Sequence, residues 1–335
     1  MPSPPFLSIP EQLRWDDNVF PQILHNTESL TSIEVCESWI QTHQSQLEEA
    51  LEASGALLFR GFPIHDAQTF ERFSAAFAYP NFTYQESLSN AVRINHTPRV
   101  FTANEAPKDV EIYLHHEMAQ TPVFPGKLFF FCQSAAERGG ATPICRSDML
   151  YHTLLQEHPA TAQMFEQKGL RYIKTMPALD DPESGQGRSW KSTLSVEDQH
   201  QAEQKLTQLG YTWEWQPDHS IKTITPVLPA VKMLPSGKKV FFNQVIAVFL
   251  GWQGAQDDPS SALRFGDHTS IPSERLQHVV EASIPWTFDI PWQDGDIALV
   301  DNLITMHGRR PYSGIRKRQV LVAMTAMPLF STQTP

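Results

Sequence analysis

Short apolar runs alternate along the chain with longer stretches that carry apolar residues at helical spacing. The runs are Ala56–Phe59, Lys127–Cys132, Val240–Val248, Asp296–Val300 and Gln319–Met324. Their lengths, with turn residues beside most of them, predict strands. Between them, Asp66 precedes Phe70, Phe73 and Phe77, which predicts a capped amphipathic helix, and Ser147 is expected to cap a second helix. The pattern therefore predicts a mainly β chain with flanking helices.

The chain shows no internal repeat. Its 26 prolines are spread throughout and form no linker. We expect one domain over residues 1–335. The stretch around residues 177–237 is polar and carries Trp190, Trp213 and Trp215. It is interpreted as a long insertion, either a lid over a site or a packed surface excursion, and long insertions in compact domains are often functional.

Composition narrows the class of protein. Of 335 residues, 41% are hydrophobic and 19% charged, as in globular chains. The net charge of −11 argues against general nucleic-acid binding. Three cysteines without CxxC spacing argue against a disulfide framework or a thiolate zinc site. Because no signal-peptide pattern begins the sequence and no apolar run approaches about 20 residues, we expect a cytoplasmic protein that binds neither nucleic acid nor membrane.

The segment around His115 carries a candidate metal pair. In an extended backbone, His115 and Glu117 point to one face, whereas His116 points to the other. An imidazole and a carboxylate on one face are two adjacent metal ligands, and a third from elsewhere would complete the facial triad of non-heme iron oxygenases. Alone, the tripeptide is weak evidence, since such pairs are commonly surface hydrogen bonds.

A distal histidine, His307, follows another apolar run, and a basic segment follows it. Arg316 and Arg318 share strand parity with Val320 and Val322. An arginine on the face that carries a metal ligand can bind a carboxylate with two parallel hydrogen bonds. The alternative is a solvated basic turn, because five cations lie within ten residues: Arg309, Arg310, Arg316, Lys317 and Arg318.

Several of these segments, in order, resemble those of one enzyme family. They are GALLFRGF at 55–62, LHHEM at 114–118, KLFFFC at 127–132, GGATP at 139–143, VFFNQ at 240–244 and DNLITMHGRRPYSGIRKRQVLVAM at 301–324. They resemble the TauD/TfdA family of Fe(II)- and 2-oxoglutarate-dependent dioxygenases, in its syringomycin-biosynthesis-like branch, with clavaminate synthase a more distant relative. The resemblance covers most of the chain and implies a double-stranded β-helix, a cupin-like jelly-roll core.

The resemblance also implies a site. His115, Glu117 and His307 match the iron ligands, and Thr142 with Arg318 match the group that holds the distal carboxylate of 2-oxoglutarate. Arg316 competes with Arg318, because this turn departs from the family's usual Gly-Pro-Arg-Arg. Halogenating relatives have Gly or Ala in place of the carboxylate that Glu117 retains. The implied reaction with O2 is therefore hydroxylation or desaturation.

The substrate side is less specific. Asn243 and Gln244 interrupt an apolar run, and either bind substrate or co-substrate or satisfy a sheet edge. The further candidates for the substrate pocket precede or flank the metal segment: Arg93, Thr102, Asn104 and Glu105. The resemblance favours a small-molecule substrate, an amino acid or amino-acid derivative of specialised metabolism, either free or tethered to a carrier protein. A non-catalytic or differently metallated jelly-roll binding protein is the alternative.

Overall fold

A computed structural model describes residues 6–27, 29–83, 88–89, 93–103, 106–181, 187–252, 255 and 257–327. The strands are β1 Phe6–Leu7, β2 Leu13–Trp15, β3 Asn18–Phe20, β4 Gln22–His25, β5 Ala56–Arg60, β6 Val100–Thr102, β7 Ile112–His115, β8 Lys127–Ser134, β9 Arg138–Gly139, β10 Thr142–Arg146, β11 Leu170–Met176, β12 Thr212–Trp215, β13 Ile221–Ile224, β14 Lys232–Met233, β15 Lys239–Val240, β16 Leu263–Phe265, β17 Thr287–Ile290, β18 Ile297–Asp301, β19 Thr305–Arg309, β20 Tyr312–Ser313 and β21 Gln319–Thr325. The helices are α1 Ile33–Thr42, α2 Gln44–Ser54, α3 Ala67–Ala76, α4 Ser147–Glu157, α5 Pro159–Lys168, α6 Trp190–Leu194, α7 Gln199–Gln208, α8 Val245–Gly251 and α9 Ser273–Ser283. None of the helices in these ranges is long and apolar enough to cross a membrane.

Two facing sheets form the core. The major sheet has the order β1-β4-β5-β18-β8-β21-β6, and the minor sheet has the order β17-β10-β19-β7. Their inner faces meet in one apolar cluster that includes Phe130 and Val322 from the major sheet and Ile144 and Phe288 from the minor sheet. This is the jelly-roll arrangement that the sequence predicted, and it confirms the fold class.

Helices cover the outer face of the major sheet. Along β8, Phe130 faces the interior, whereas Phe129 and Phe131 pack with α1 and α3, as strand alternation requires. The predicted cap of α3 is confirmed, since the Thr69 backbone N–H donates to Asp66 Oδ1 at 2.7 Å. The covered face leaves the inner face of the sheet as the place where ligands can meet side chains.

An additional outer sheet, in the order β12-β13-β11-β16, lies beside this core. The described part of residues 177–237 contributes α6, α7, β12, β13 and β14, and its buried apolar residues form a cluster with Leu88 and Met176. Within it, Trp190 and Trp215 meet edge to face, with ring centroids 5.1 Å apart. The predicted insertion thus packs around a small apolar cluster that it shares with Leu88 and Met176. Its role as a lid and the single-domain assignment stay predictions.

Two local predictions were wrong. Val240–Val248 is not a strand: β15 ends at Val240, and α8 begins at Val245. Asn243 Oδ1 accepts the Val245 backbone N–H at 3.0 Å and so favours the start of a helix. A short apolar run alone does not distinguish a strand from a buried helix. Ser147 does not cap α4 but is its first residue, and its hydroxyl donates to the Ile304 carbonyl at 2.8 Å.

Candidate active site

Strand pairing brings the two candidate histidine ligands together. β7 and β19 are antiparallel neighbours in the minor sheet, and His115 lies directly opposite His307. Directly opposed residues project from the same face of a sheet. Their ring centroids are accordingly 4.4 Å apart, although nearly two hundred residues separate them in sequence.

Glu117, two residues beyond His115, completes the group. Its Oε2 lies 3.4 Å from Nε2 of His307 and 3.9 Å from Nε2 of His115. One ligand atom from each of the three residues lies within 4.8 Å of the others. His116 faces away, as its parity predicted, and its Nδ1 lies 2.5 Å from the Asn302 carbonyl oxygen. The three side chains can therefore bind one metal ion from one side.

The protonation states suit a divalent metal. His115 Nδ1 lies 2.8 Å from the Tyr113 carbonyl, which fixes this nitrogen as the donor and leaves Nε2 with a free lone pair. Burial, assisted by His307, lowers the pKa of His115 to about 4, so the ring is neutral near pH 7. Burial would raise the pKa of Glu117, but Arg93 and His307 outweigh it and lower that pKa below its ordinary range. Two imidazoles and one carboxylate are a ligand set that fits Fe(II).

Two further residues hold Glu117 in place. Arg93 donates from Nη2 to Glu117 Oε1 at 3.0 Å, which leaves Oε2 facing the histidines. Asn302 is fully buried and bonds both backbone groups of Glu117. Its Oδ1 accepts the Glu117 N–H at 2.7 Å, and its Nδ2 donates to the Glu117 carbonyl at 3.1 Å. The sequence analysis missed Asn302, whose only local signal is a polar residue between an apolar strand and His307.

Arg318 and Thr142 meet at a second polar position. Arg318 donates from Nε to the Gly140 carbonyl at 2.9 Å, and its Nη2 lies 3.5 Å from Thr142 Oγ1. Trp292, which the sequence analysis also missed, donates from its ring nitrogen to the same Thr142 oxygen at 2.9 Å. Burial lowers the pKa of Arg318 to about 10, so the guanidinium remains charged at neutral pH. The position can therefore receive a carboxylate.

The basic run after His307 divides by environment. Arg316 is exposed and pairs with Asp294 at the surface. Arg309 is buried and donates to the Pro107 carbonyl at 2.6 Å. The solvated-turn interpretation therefore describes Arg316 but neither Arg309 nor Arg318.

Asn243 and Gln244 are buried and bonded to backbone. Asn243 Nδ2 donates to the Ala230 carbonyl at 3.1 Å, and Gln244 Nε2 donates to the His116 carbonyl at 3.1 Å. The His116 backbone N–H donates to the Asn243 carbonyl at 3.3 Å. The pair thus supports the backbone between the metal-site residues, and a direct contact with substrate stays a prediction.

The remaining substrate candidates separate in the same way. Thr102 is buried, and its Oγ1 accepts the Ile94 backbone N–H at 3.1 Å. Arg93 lies against Glu117 rather than apart from the metal group. Asn104 and Glu105 lie outside the described residues. The substrate roles of all four stay predictions.

Comparison with known proteins assigns the family. The model described as "Taurine catabolism dioxygenase TauD, TfdA family" matches residues 29–325. The chain belongs to the TauD/TfdA dioxygenase family. This confirms the resemblance carried by the ordered motifs.

Individual TauD/TfdA relatives agree. A clavaminate synthase-like protein of Arabidopsis thaliana is 36% identical over 315 residues, covering 92% of this chain and 95% of the relative. The dapdiamide synthesis protein DdaC of Enterobacter agglomerans is 31% identical over 291 residues, covering 83% and 84%. The solved structure of PvcB, an Fe, alpha-ketoglutarate dependent oxygenase from an isonitrile synthetic pathway, shares the fold: its TM-score is 0.54 at 14% identity, with 96% of this chain and 94% of that chain covered.

Membership of the TauD/TfdA family settles the reaction class. The protein is a dioxygenase that uses Fe(II) and 2-oxoglutarate. The prediction of an enzyme is thereby confirmed over that of a non-catalytic jelly-roll binding protein.

Proposed function

We propose that His115, Glu117 and His307 hold the Fe(II), that Arg318 and Thr142 bind the distal carboxylate of 2-oxoglutarate, and that the enzyme hydroxylates or desaturates an unactivated C–H bond of a small molecule. The convergence of the three ligand atoms within 4.8 Å carries the proposal. When bound, the iron supplies the O2-dependent oxidation, with 2-oxoglutarate as co-substrate.

The co-substrate end of the site is built for an anion. An unpaired carboxylate would be strongly disfavoured next to the apolar interior. The Arg318 guanidinium offers charge and parallel donors. Because Trp292 donates to the Thr142 oxygen, the Thr142 hydroxyl proton is free to point at a carboxylate. Arg316 has no such role in this proposal, since it lies at the surface with Asp294.

The metal end is ordered by neighbouring groups. The Tyr113 carbonyl orients His115, and Arg93 with Asn302 orients Glu117. Phe130 packs on His307, with ring centroids 5.1 Å apart. Such neighbours fix ligand orientation and limit water around the site.

The substrate is proposed by class. The relatives named for dapdiamide synthesis and clavaminate synthase support a role in specialised metabolism. We propose an amino acid or amino-acid derivative, and we favour a free molecule over one tethered to a carrier protein, because the chain's net charge of −11 does not favour docking of an acidic carrier. The cytoplasmic location stays a prediction.

Turnover of the co-substrate tests the proposal. Purified protein supplied with Fe(II), O2 and 2-oxoglutarate should form succinate, and a substrate screen should yield a product that has gained one oxygen or lost two hydrogens. His307→Ala should abolish succinate formation, whereas His152→Ala, an exposed histidine on α4, should not. Equal succinate formation by wild type and His307→Ala, or none by wild type, would contradict the proposal.

A further inference from the structure

A small cavity lies between the outer sheet, the 177–237 insertion and the turn that follows Glu117. Its lining includes Gln120 and Thr121 of that turn, Thr193 and Leu194 of α6, and Leu206 of α7. Its volume is about 30 Å³, which is space for about two ordered waters or one carboxylate group. In this closed form, the cavity fits the polar end of a ligand.

One face of β11 supplies its floor. Tyr172, Lys174 and Met176 alternate along this strand and all line the cavity, as strand geometry requires. Thr223, directly opposite Lys174 on β13, also lines it. Among the described lining residues, Lys174 is the one that carries a charge, and none is acidic.

Lys174 has no compensating partner in the part of the chain that the structure describes. No ion pair or hydrogen bond of its ammonium group is found there. Burial, with a smaller contribution from the positive charge of Arg188, lowers the pKa of Lys174 to about 7. Desolvating a cation without an anion is unfavourable. An anion in the cavity would remove that penalty.

Gln120 is a second unsatisfied group of the cavity. It lies three residues after Glu117 and is 9% exposed. Its Oε1 is buried and has no hydrogen-bond partner among the described residues. A buried acceptor without a donor is unfavourable, so a ligand N–H at this position would stabilise the site.

We propose that this cavity takes the carboxylate of the substrate at Lys174 and an amino or amide N–H at Gln120, so that the substrate is an α-amino acid or an amide derivative of one. The inference rests on the proposed function, because it places the substrate beside the turn that carries Glu117. It also assigns the insertion a role, since α6 and α7 would close over the bound carboxylate.

Three matched sets of compounds test the ligand class: the standard L-amino acids, their carboxamides, and the corresponding amines without the carboxylate. Succinate formation is measured with each. At least one amino acid should stimulate it, whereas its carboxamide and amine should not. Lys174→Met should raise the KM for that amino acid at least tenfold, and Lys174→Arg should recover part of the loss because it keeps the charge.

Two variants isolate the contacts. Lys222→Met removes an exposed lysine from the opposite face of the adjacent strand β13 and should leave the KM unchanged. Gln120→Leu should raise the KM for the amino acid, and it should hardly change the KM for the carboxylic acid that lacks only the amino group of that amino acid, which is added as a fourth probe. Calorimetric titration of the amino acid into metal-free wild type and Lys174→Met gives a second readout, independent of turnover.

The outcomes separate this inference from the proposed function. Succinate formed without any added probe reports on the proposed function alone. If that background is present but amines and carboxamides stimulate as well as acids, if no amino acid stimulates, or if Lys174→Met leaves the KM unchanged, the cavity assignment is wrong and the proposed function stands. If wild type forms no succinate at all, the proposed function fails. The cavity assignment fails as well if wild type and Lys174→Met bind the amino acid equally in the calorimeter, or if neither protein binds it.

Discussion

The metal site and the cavity beneath the insertion both bury polar side chains, but they satisfy them differently. Around Glu117, Arg93 and Asn302 already supply the hydrogen bonds that hold the carboxylate and its peptide. In the cavity, Lys174 and the Oε1 of Gln120 have no partner among the described residues. The fold therefore orders the metal end in advance and leaves the cavity to be completed by a ligand.

Two cations show the same contrast. Arg318 is held by the Gly140 carbonyl and keeps a pKa of about 10, so it is charged and oriented in advance. Lys174 has a pKa of about 7, and its ammonium group has no partner among the described residues. The planar guanidinium of an arginine suits one co-substrate that always binds in the same position. The ammonium group of a lysine, on its flexible side chain, suits a carboxylate whose position depends on the rest of the ligand.

Removing a metal ligand should have the largest effect. His115→Ala, Glu117→Ala and His307→Ala should each lose iron and turnover, measured as bound metal and succinate. His116→Ala should keep the metal, because His116 faces away, and should lose about 1–3 kcal/mol of unfolding free energy with its bond to the Asn302 carbonyl. A metal-free His116→Ala protein beside a metal-bound His115→Ala protein would show that the strand parity was assigned wrongly.

The co-substrate anchor should come next. Arg318→Ala should raise the apparent constant for 2-oxoglutarate, equivalent to about 2–5 kcal/mol of lost binding, because the carboxylate would be left without its charged partner. Arg318→Lys should restore only part, since an ammonium does not reproduce the fork. Arg316→Ala is the matched control and should change little. A large loss of 2-oxoglutarate binding in Arg316→Ala with a small loss in Arg318→Ala would show that Arg316, not Arg318, binds the distal carboxylate.

Asn302→Ala tests whether the metal site depends on the hydrogen bonds that order it before the metal binds. Loss of its buried bonds to the Glu117 peptide should lower the unfolding free energy by about 1–3 kcal/mol and weaken metal affinity by about 10–100-fold. The exposed Asn95→Ala serves as control. Unchanged metal affinity in a folded Asn302→Ala protein would show that the ligands need no such support.

A pH dependence of stability should accompany the uncompensated lysine of the cavity. In the folded protein, the pKa of Lys174 lies near 7, whereas an unfolded lysine titrates near about 10.4. Between these values, the unfolded state binds the extra proton, so the unfolding free energy should rise with pH. Burial raises the pKa values of Tyr172 and Tyr211, which also line the cavity, above their ordinary value, so both stay neutral throughout. Arg188, like other arginines, keeps its charge over this range.

Denaturant unfolding of wild type and Lys174→Met between pH 7 and 10 measures this. The methionine variant should be the more stable at pH 7, and its advantage should shrink as the pH rises. Parallel curves for the two proteins would mean that the ammonium is not desolvated in the folded state.

Strand alternation and local motifs determined much of the fold in advance. Short apolar runs predicted the strands β8, β18 and β21, Asp66 predicted a capped helix, and the spacing of His115 and Glu117 predicted their common face. Each of these depends on backbone geometry within a few residues, which the sequence carries directly. The ordered motifs also predicted the family, because several matches in the same order along the chain are more specific than one match.

Tertiary structure decided whatever depends on distant partners. The pairing of β7 with β19 places His307 opposite His115, and the fold alone separates the partly buried Arg318 from the exposed Arg316, which share strand parity. Asn302 and Lys174 gave no distinctive local signal, because a buried polar group and a solvated one look alike in sequence. Their difference is set by desolvation and by the hydrogen bonds that long-range packing supplies or withholds.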